Sequence, residues 1–165
     1  MLATTVAKKK QTVYVETSVV SYLTARLSSD LIMAAHQKIT IDWWENRRYH
    51  FDLYTSLLVI QEAGRGDSQA AKKRLNALQD MPLLDINEEV QKLAETFLYR
   101  QVIPEKARED AIHISMAITY GIDYLLTWNC KHIANAEIQK IITEISTQEG
   151  YEMPIFCTPE VLMGE

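Results

Sequence analysis

The most apolar part of the chain, residues 104–135, predicts a buried helix, a glycine turn and a short buried strand. Apolar residues fall on nearly every side of the predicted helix, so the helix should lie inside the molecule. Gly121 ends it, and residues 124–127 form the continuous apolar run typical of parallel strands. One carboxylate, Asp110, interrupts the helix. Because a charge beside so much apolar surface is costly without a cation or a donor, Asp110 is the first candidate for a functional residue.

Short apolar runs alternate with helical periodicity along the rest of the chain. This alternation predicts an α/β fold with a mostly parallel sheet, three layers deep. The predicted strands are residues 13–15, 51–55, 83–86, 124–127 and 154–157. The predicted helices begin after the caps Thr17 and Ser18 and then cover residues 31–48, 57–63, 69–78, 88–101, 104–120 and 133–148.

Length and composition indicate an ordinary globular domain. The chain has 165 residues, of which 47% are hydrophobic and 24% charged, enough for one domain with a sizeable core. No internal repeat or linker divides it, so we predict a single domain over residues 12–160 after a flexible leader, residues 1–11.

The expected cellular location follows from two features that the sequence lacks, a membrane-spanning segment and a secretory signal. No apolar run approaches the roughly 20 residues that span a bilayer, and the first residues do not have the order of a secretory signal. We therefore expect a cytoplasmic protein without membrane attachment. Cys130 and Cys157 could pair, but in a reducing compartment free thiols are the expectation.

The net charge of −5 argues against a nucleic-acid binder held by bulk positive charge. It does not exclude an enzyme that acts on nucleic acid, because carboxylates gathered around divalent cations also make a sequence acidic.

Acidic residues occur at comparable positions after predicted strands. Glu16 follows the first strand, Glu62 lies in the helix after the second, and Asp110 lies near the start of the buried helix; Asn129 follows the fourth strand. Parallel strands point their carboxyl ends to one edge of the sheet, so these residues can converge. Clustered hard oxygen ligands suit Mg²⁺ or Mn²⁺, and such a site favours hydrolysis of a phosphodiester.

Three segments resemble the PIN-domain nucleases, in particular the VapC-like toxins of bacterial toxin–antitoxin pairs. They read YVETSVVSYL, SLLVIQEA and AREDAIHISMAITYGIDYLLTWNCKHIAN, and the resemblance covers residues 12–156. It implies a PIN fold with a parallel sheet of about five strands and an Mg²⁺- or Mn²⁺-dependent endoribonuclease. It also implies an RNA substrate, a homodimer and a cognate antitoxin that holds the enzyme inactive.

The resemblance also assigns roles to residues. The metal-binding and catalytic positions of the family fall on Glu16, Glu62, Asp110 and Asn129. Ser18 and Thr127 match the hydroxyl residues that support the first and fourth positions, and His113 lies one turn from Asp110. His113 is either a buried histidine satisfied by a partner or a residue behind the metal ligands that orients them or moves a proton.

Two of these positions depart from the family pattern. The first is usually Asp, whereas Glu16 is one methylene longer, and Asn129 offers only a neutral oxygen. The alternative is therefore a PIN-fold protein with weak or no catalysis that works through binding. A nucleotide-binding protein is a third reading, but neither G-x-G-x-x-G nor G-x-x-x-x-G-K-[ST] occurs in the chain.

Overall fold

The structure, a computed structural model, describes residues 8–164, and five parallel strands form its sheet. The strands are β1 (Gln11–Val15), β2 (Phe51–Ser56), β3 (Leu83–Leu84), β4 (Tyr124–Leu126) and β5 (Ile155–Cys157). The helices are α1 (Thr17–Thr24), α2 (Leu31–Asn46), α3 (Leu57–Ala63), α4 (Ser68–Leu78), α5 (Glu88–Tyr99), α6 (Arg108–Thr119) and α7 (Ala136–Gln148). Three short 3₁₀ helices connect them at Arg48–His50, Glu105–Ala107 and Pro159–Leu162.

The strands lie in the order β3-β2-β1-β4-β5, so the first strand of the chain is the centre of the sheet. β1 has partners on both sides, with Tyr14 level with Tyr54 of β2 and with Leu125 of β4. The side chains of Val13, Tyr14 and Val15 are fully buried, as expected for a strand with helices on both faces. The predicted α/β class and the parallel sheet are confirmed.

Two groups of helices cover the sheet. α1 packs against α2, α3 and α4, whereas α5 packs against α6. α6 is the predicted buried helix, and seven of its twelve residues are buried, including Ile114, Met116 and His113. A three-layer α/β/α molecule results, in which α6 brings polar side chains to the sheet from inside the core.

Several predicted boundaries differ from those in the structure. The helix predicted from residue 104 begins at Arg108, because Pro104 is extended and a 3₁₀ turn follows it. The helix predicted from residue 133 begins at Ala136, because Ile133 is fully buried in the preceding turn and Asn135 is the N-cap. β3 keeps only two of its four predicted residues.

Other expectations concern the termini, the thiols and the membrane. The predicted leader falls largely on residues that lie outside the described part; Lys8 to Lys10 are exposed, and the first strand begins at Gln11. Cys130 and Cys157 are both free thiols, as predicted, and burial raises the pKa of Cys157 to about 12. No helix among residues 8–164 has the length and apolar character needed to cross a bilayer.

The packing of α6 gives a stability prediction with a matched control. Ile114 is fully buried, whereas Ile141 on α7 is 45% exposed. We expect Ile114→Ala to lower the free energy of unfolding by about 2–5 kcal/mol, because it removes buried methyl groups and leaves a cavity. Ile141→Ala should change it by no more than about 0.5 kcal/mol. Urea unfolding measures both values, and equal losses would contradict the assigned burial.

Candidate metal centre

The carboxyl ends of the central strands form the edge at which the predicted site residues gather. Val15, the last residue of β1, is level with Leu126, the last residue of β4. Glu16 and Thr127 therefore leave the sheet side by side, although 111 positions separate them, and Thr127 donates a hydrogen bond of 2.7 Å to the Glu16 carboxylate. The parallel topology brings these two residues together, so Thr127, expected to support the fourth position, donates to the first acid.

Glu16 is a buried carboxylate that caps the helix following it. Its side chain is the N-cap of α1 and accepts from the backbone N–H of Ser18 at 3.1 Å, so the cap predicted at Thr17 or Ser18 lies one residue earlier. The hydroxyls of Ser18 and Thr127 donate to the same oxygen, Oε2. Glu16 is only 5% exposed. Three donors on one oxygen offset part of the cost of its burial.

Glu62 reaches this edge from the neighbouring strand. Ser56 ends β2 and caps α3, on which Glu62 is the sixth residue, close to the helix end. Its oxygen Oε1 accepts from the Thr17 hydroxyl at 2.6 Å and lies 2.6 Å from Nε2 of His113. Because an ionised carboxylate only accepts hydrogen bonds, the proton of this contact is on the histidine nitrogen.

His113 is fully buried between Glu62 and the central strand. Its Nδ1 lies 2.7 Å from the Tyr14 hydroxyl, which in turn lies 2.8 Å from Oγ of Ser56. Burial alone lowers the pKa of His113, but the hydrogen bond to Glu62 and the charges of Glu16, Glu62 and Asp110 outweigh it, so the net shift is upward. Burial raises the pKa of Tyr14 well above its ordinary value, so its hydroxyl keeps its proton.

Asp110 lies in the first turn of α6 and contacts a histidine that follows β4. Its Oδ2 lies 2.8 Å from Nδ1 of His132, and both side chains are largely buried. The side-chain oxygen of Asn129 accepts from the backbone N–H of His132 at 3.0 Å, and the Asn129 backbone N–H donates to Thr127. Asn129 is thus hydrogen-bonded to Thr127, which in turn donates to Glu16.

The three acids share one arrangement of donors. In each, one oxygen carries all the hydrogen bonds: Oε2 of Glu16, Oε1 of Glu62 and Oδ2 of Asp110. The other oxygen of each accepts no hydrogen bond from an N–H or hydroxyl group of the described residues, and we call it the open oxygen; the carboxyl of Glu62 also contacts that of Glu109. Open carboxylate oxygens with fixed partners behind them are the ligands that Mg²⁺ and Mn²⁺ prefer.

The charge balance of this edge also fits a cation. Among residues 8–164, no lysine or arginine forms an ion pair with Glu16, Glu62 or Asp110. Arg65 is close by, but it forms a two-pronged pair with Glu109 and is the main reason that the pKa of Glu109 is lowered. Carboxylates that repel each other without a basic partner favour a bound metal ion.

The predicted ligands are not equally close. Ligand atoms of Glu16, Glu62 and His113 all lie within 4.8 Å of one another. Asp110 stands outside this group, although its charge acts on His113, and Asn129 faces the turn that carries His132. Ser18 and Thr127 donate to Glu16, the acid beside them.

Sequence reasoning missed two partners of these acids, Thr17 and His132, and also Tyr14, which is the partner of His113. The alternation of side chains along β1 gives a signal for Tyr14, because it points to the face opposite Val13 and Val15. Thr17 carries no such signal, because its contact with Glu62 joins two helices. His132 follows Asn129 by three residues, but only the fold of the turn brings it to Asp110.

Trp128 contacts Ser18, one of the residues that donate to Glu16. Its backbone N–H donates to Oγ of Ser18 at 2.8 Å, and its indole N–H donates to Thr40 on α2. Its ring stacks on His36 at 4.1 Å between centroids and on Tyr22 at 5.7 Å. These contacts fix the exit of β4 against α1 and α2, which keeps the donors of Glu16 in place.

One solved structure similar to this chain is that of VapBC2 from Rickettsia felis bound to a DNA fragment from their promoter. The aligned chain is 13% identical, the TM-score is 0.50, and the alignment covers 90% of this chain and 98% of that one. No protein-family model and no curated protein matches the chain. The likeness shows the fold, so the predicted PIN-like three-layer α/β/α architecture, with its five-stranded sheet, is confirmed.

The raised pKa of His113 gives a prediction for the metal-free protein. A histidine whose pKa is higher in the folded than in the unfolded state adds stability below the unfolded value of about 6.5 and loses it as pH rises through the folded value. The unfolding free energy in a chelating buffer should therefore fall above about pH 6.5, and His113→Asn should flatten this slope. Urea unfolding at several pH values measures it.

The exposed histidine His50 supplies the control. His50→Asn should leave the slope of the wild-type protein unchanged. A His113→Asn variant that follows the wild-type slope would show that this histidine does not gain a proton on folding.

Proposed function

We propose that this protein is a metal-dependent endoribonuclease that hydrolyses phosphodiester bonds in RNA, as the toxin of a toxin–antitoxin pair in the cytoplasm. The single observation that carries the proposal is the shared arrangement of Glu16, Glu62 and Asp110. Each uses one oxygen for protein donors and leaves one open, at one edge of a PIN-like sheet and, among the described residues, without a lysine or arginine partner. Such a set calls for a divalent cation.

In this proposal Glu16, Glu62 and Asp110 hold Mg²⁺ or Mn²⁺ through their open oxygens, and Asn129 adds a neutral oxygen. When bound, the ion supplies Lewis-acid activation of a water and neutralises charge on the phosphate. Asn129 keeps this capacity because a carbonyl oxygen has two lone pairs and His132 N–H occupies only one.

The residues behind the ligands fix their orientation. Ser18 and Thr127 hold one oxygen of Glu16, so its open oxygen has a defined direction. His113 and Thr17 do the same for Glu62. We assign His113 to positioning, because a proton on its Nε2 serves the bond to Glu62 and its Nδ1 is occupied by Tyr14. Orientation of ligands by such partners typically accounts for about 10–100-fold in metal affinity or activity.

A pocket of about 840 Å³ beside Asp110 gives RNA a place to bind. Lys106, Arg108, Glu109 and His132 are among the residues that line it. Lys106, in the same pocket as Asp110, suits a phosphate that flanks the bond to be cut. Since the net charge of the chain is −5, binding relies on such local contacts rather than on the overall charge.

A second candidate function is a PIN-fold protein that binds without cutting. Glu16 in place of the usual Asp and the neutral Asn129 favour it, because both weaken a metal site that demands octahedral geometry. Calorimetric titration with MnCl₂ separates the two candidates. Absence of binding at millimolar Mn²⁺ would favour the binding protein.

The nuclease proposal predicts the effect of removing single carboxylates. Asp110→Ala and Glu62→Ala should each lower Mn²⁺-dependent RNA cleavage at least about 100-fold, which is roughly 2.7 kcal/mol of transition-state stabilisation. Glu45→Ala, at an exposed position on α2 that forms no ion pair within the described part of the chain, is the matched control and should cut at the wild-type rate. Cleavage of a labelled RNA measures the rates, and an Asp110→Ala variant as fast as the wild type would refute the roles assigned.

The partners we propose are a cognate antitoxin and a second copy of the chain. The antitoxin would bind over residues 43–49 and the acidic edge. Trp43 is fully buried and belongs to the core, but Tyr49 is 63% exposed, and Arg48 stacks on Trp44 and Tyr49 beside a pocket of about 750 Å³. A surface for the homodimer is available at Leu31, which is 85% exposed and adjoins the exposed Ile32.

Both partners are tested by co-expression with the neighbouring open reading frame and light scattering of the purified complex. We expect a complex that contains two copies of this chain and that forms at least about tenfold more weakly with Tyr49→Asp, because a charge replaces an apolar contact. Tyr99→Asp, at a position 90% exposed on α5, should bind as the wild type does. No complex, or a complex with one copy, would contradict the respective partner.

A further inference from the structure

The contact between Asp110 and His132 joins an acid of the metal centre to a residue for which the proposed chemistry has no role. Oδ2 of Asp110 lies 2.8 Å from Nδ1 of His132, and the two side chains are 19% and 14% exposed. The other two acids receive donors from several groups, whereas Asp110 receives its side-chain hydrogen bond from His132 alone among the described residues. His132 therefore decides which oxygen of Asp110 is open.

The turn that carries His132 is well fixed. The backbone C=O of Asn129 accepts from the N–H groups of Ile133 and Ala134, and its side-chain oxygen accepts from that of His132. Ile133 is fully buried and ties the turn to the core, while the Asn135 side chain donates to two carbonyls of the turn. The backbone of His132 is thus held by the turn and does not depend on the contact with Asp110.

The protonation state of the contact follows from the acceptor. An ionised carboxylate cannot donate, so Nδ1 of His132 carries the hydrogen and Nε2 is left without a partner among the described residues. A hydrogen bond from an imidazole N–H to one oxygen of a carboxylate fixes the rotation of the carboxylate and favours its ionised form.

We propose that His132 is a positioning residue of the metal centre: its Nδ1–H holds Oδ2 of Asp110 and thereby turns Oδ1 toward the ion. The inference rests on the proposed function, because it assigns Asp110 as a ligand. Asn129 contributes by fixing the backbone of His132, so the polar exit of β4 serves the third acid as well as the first.

A different role for His132 makes an opposite prediction about conservative substitutions. If His132 bound the ion directly, it would use Nε2, which has no hydrogen-bond partner among residues 8–164. The amide of Asn places a donor near the position of Nδ1, and the longer amide of Gln places polar atoms near the position of Nε2. Positioning of Asp110 is therefore retained by His132→Asn, and direct binding is retained by His132→Gln.

The experiment titrates MnCl₂ into the wild-type protein and the variants His132→Asn, His132→Gln and His132→Ala by isothermal calorimetry. We expect His132→Asn to stay within about threefold of the wild-type dissociation constant. His132→Gln and His132→Ala should bind about 10–100-fold more weakly, the usual effect of removing a partner of a metal ligand. His50→Asn is the control for a lost surface histidine, and urea unfolding shows that each variant is folded.

Other results would contradict either the positioning role of His132 or the proposed function. Equal affinities in all variants, or retention by His132→Gln with loss in His132→Asn, would refute positioning while leaving the proposed function intact. A wild-type protein that does not bind Mn²⁺ would overturn the proposed function and this inference with it.

A metal-free readout is also available: ¹H–¹⁵N correlation of the His132 ring should show the Nδ1–H form in the wild type, and Asp110→Ala should abolish it.

Discussion

The burial of a carboxylate without a basic partner is the constraint on which this edge of the molecule depends. Glu16 is 5% exposed, and removing such a charge from water costs several kcal/mol unless donors replace the water. Its donors are Ser18, at the start of α1, and Thr127, at the exit of β4. The charge is therefore hydrogen-bonded but not neutralised, and the two elements that supply the donors must stay together.

The central position of β1 makes this arrangement possible. With β2 on one side and β4 on the other, the residue after β1 is next to residues that follow both neighbours. Glu62 arrives from the β2 side, and Thr127 arrives from the β4 side. α6 brings His113 against the central strand, where Tyr14 and Ser56 extend the hydrogen-bond network into the core. Any slip in strand register would disrupt all of these contacts at once.

The sequence predicts where the acids of the site lie better than it predicts which side chains donate hydrogen bonds to them. Apolar runs identify the strands, and acids just after them identify Glu16 and Glu62, because parallel topology places strand ends at one edge. The donors are harder to predict, because Thr17 and His132 reach their acids across 45 and 22 positions. The predicted start of α7, residue 133, differs from the observed start, Ala136, for a related reason. Ile133 is apolar because its side chain is buried in the turn before the helix, not because it belongs to the helix.

The choice of donors leaves the carboxylates of the site suited to a cation. Had lysine or arginine held these carboxylates, the pairs would be neutral, and a divalent ion would have to break them before binding. The hydroxyls of Ser18 and Thr127 and the backbone N–H of Ser18 instead fix one oxygen of Glu16 without cancelling its charge. His113 is the exception, because its raised pKa adds a positive charge beside Glu62 in the metal-free protein. A bound divalent ion would replace that charge, so the same histidine can stabilise the empty site and still orient its ligand when the site is filled.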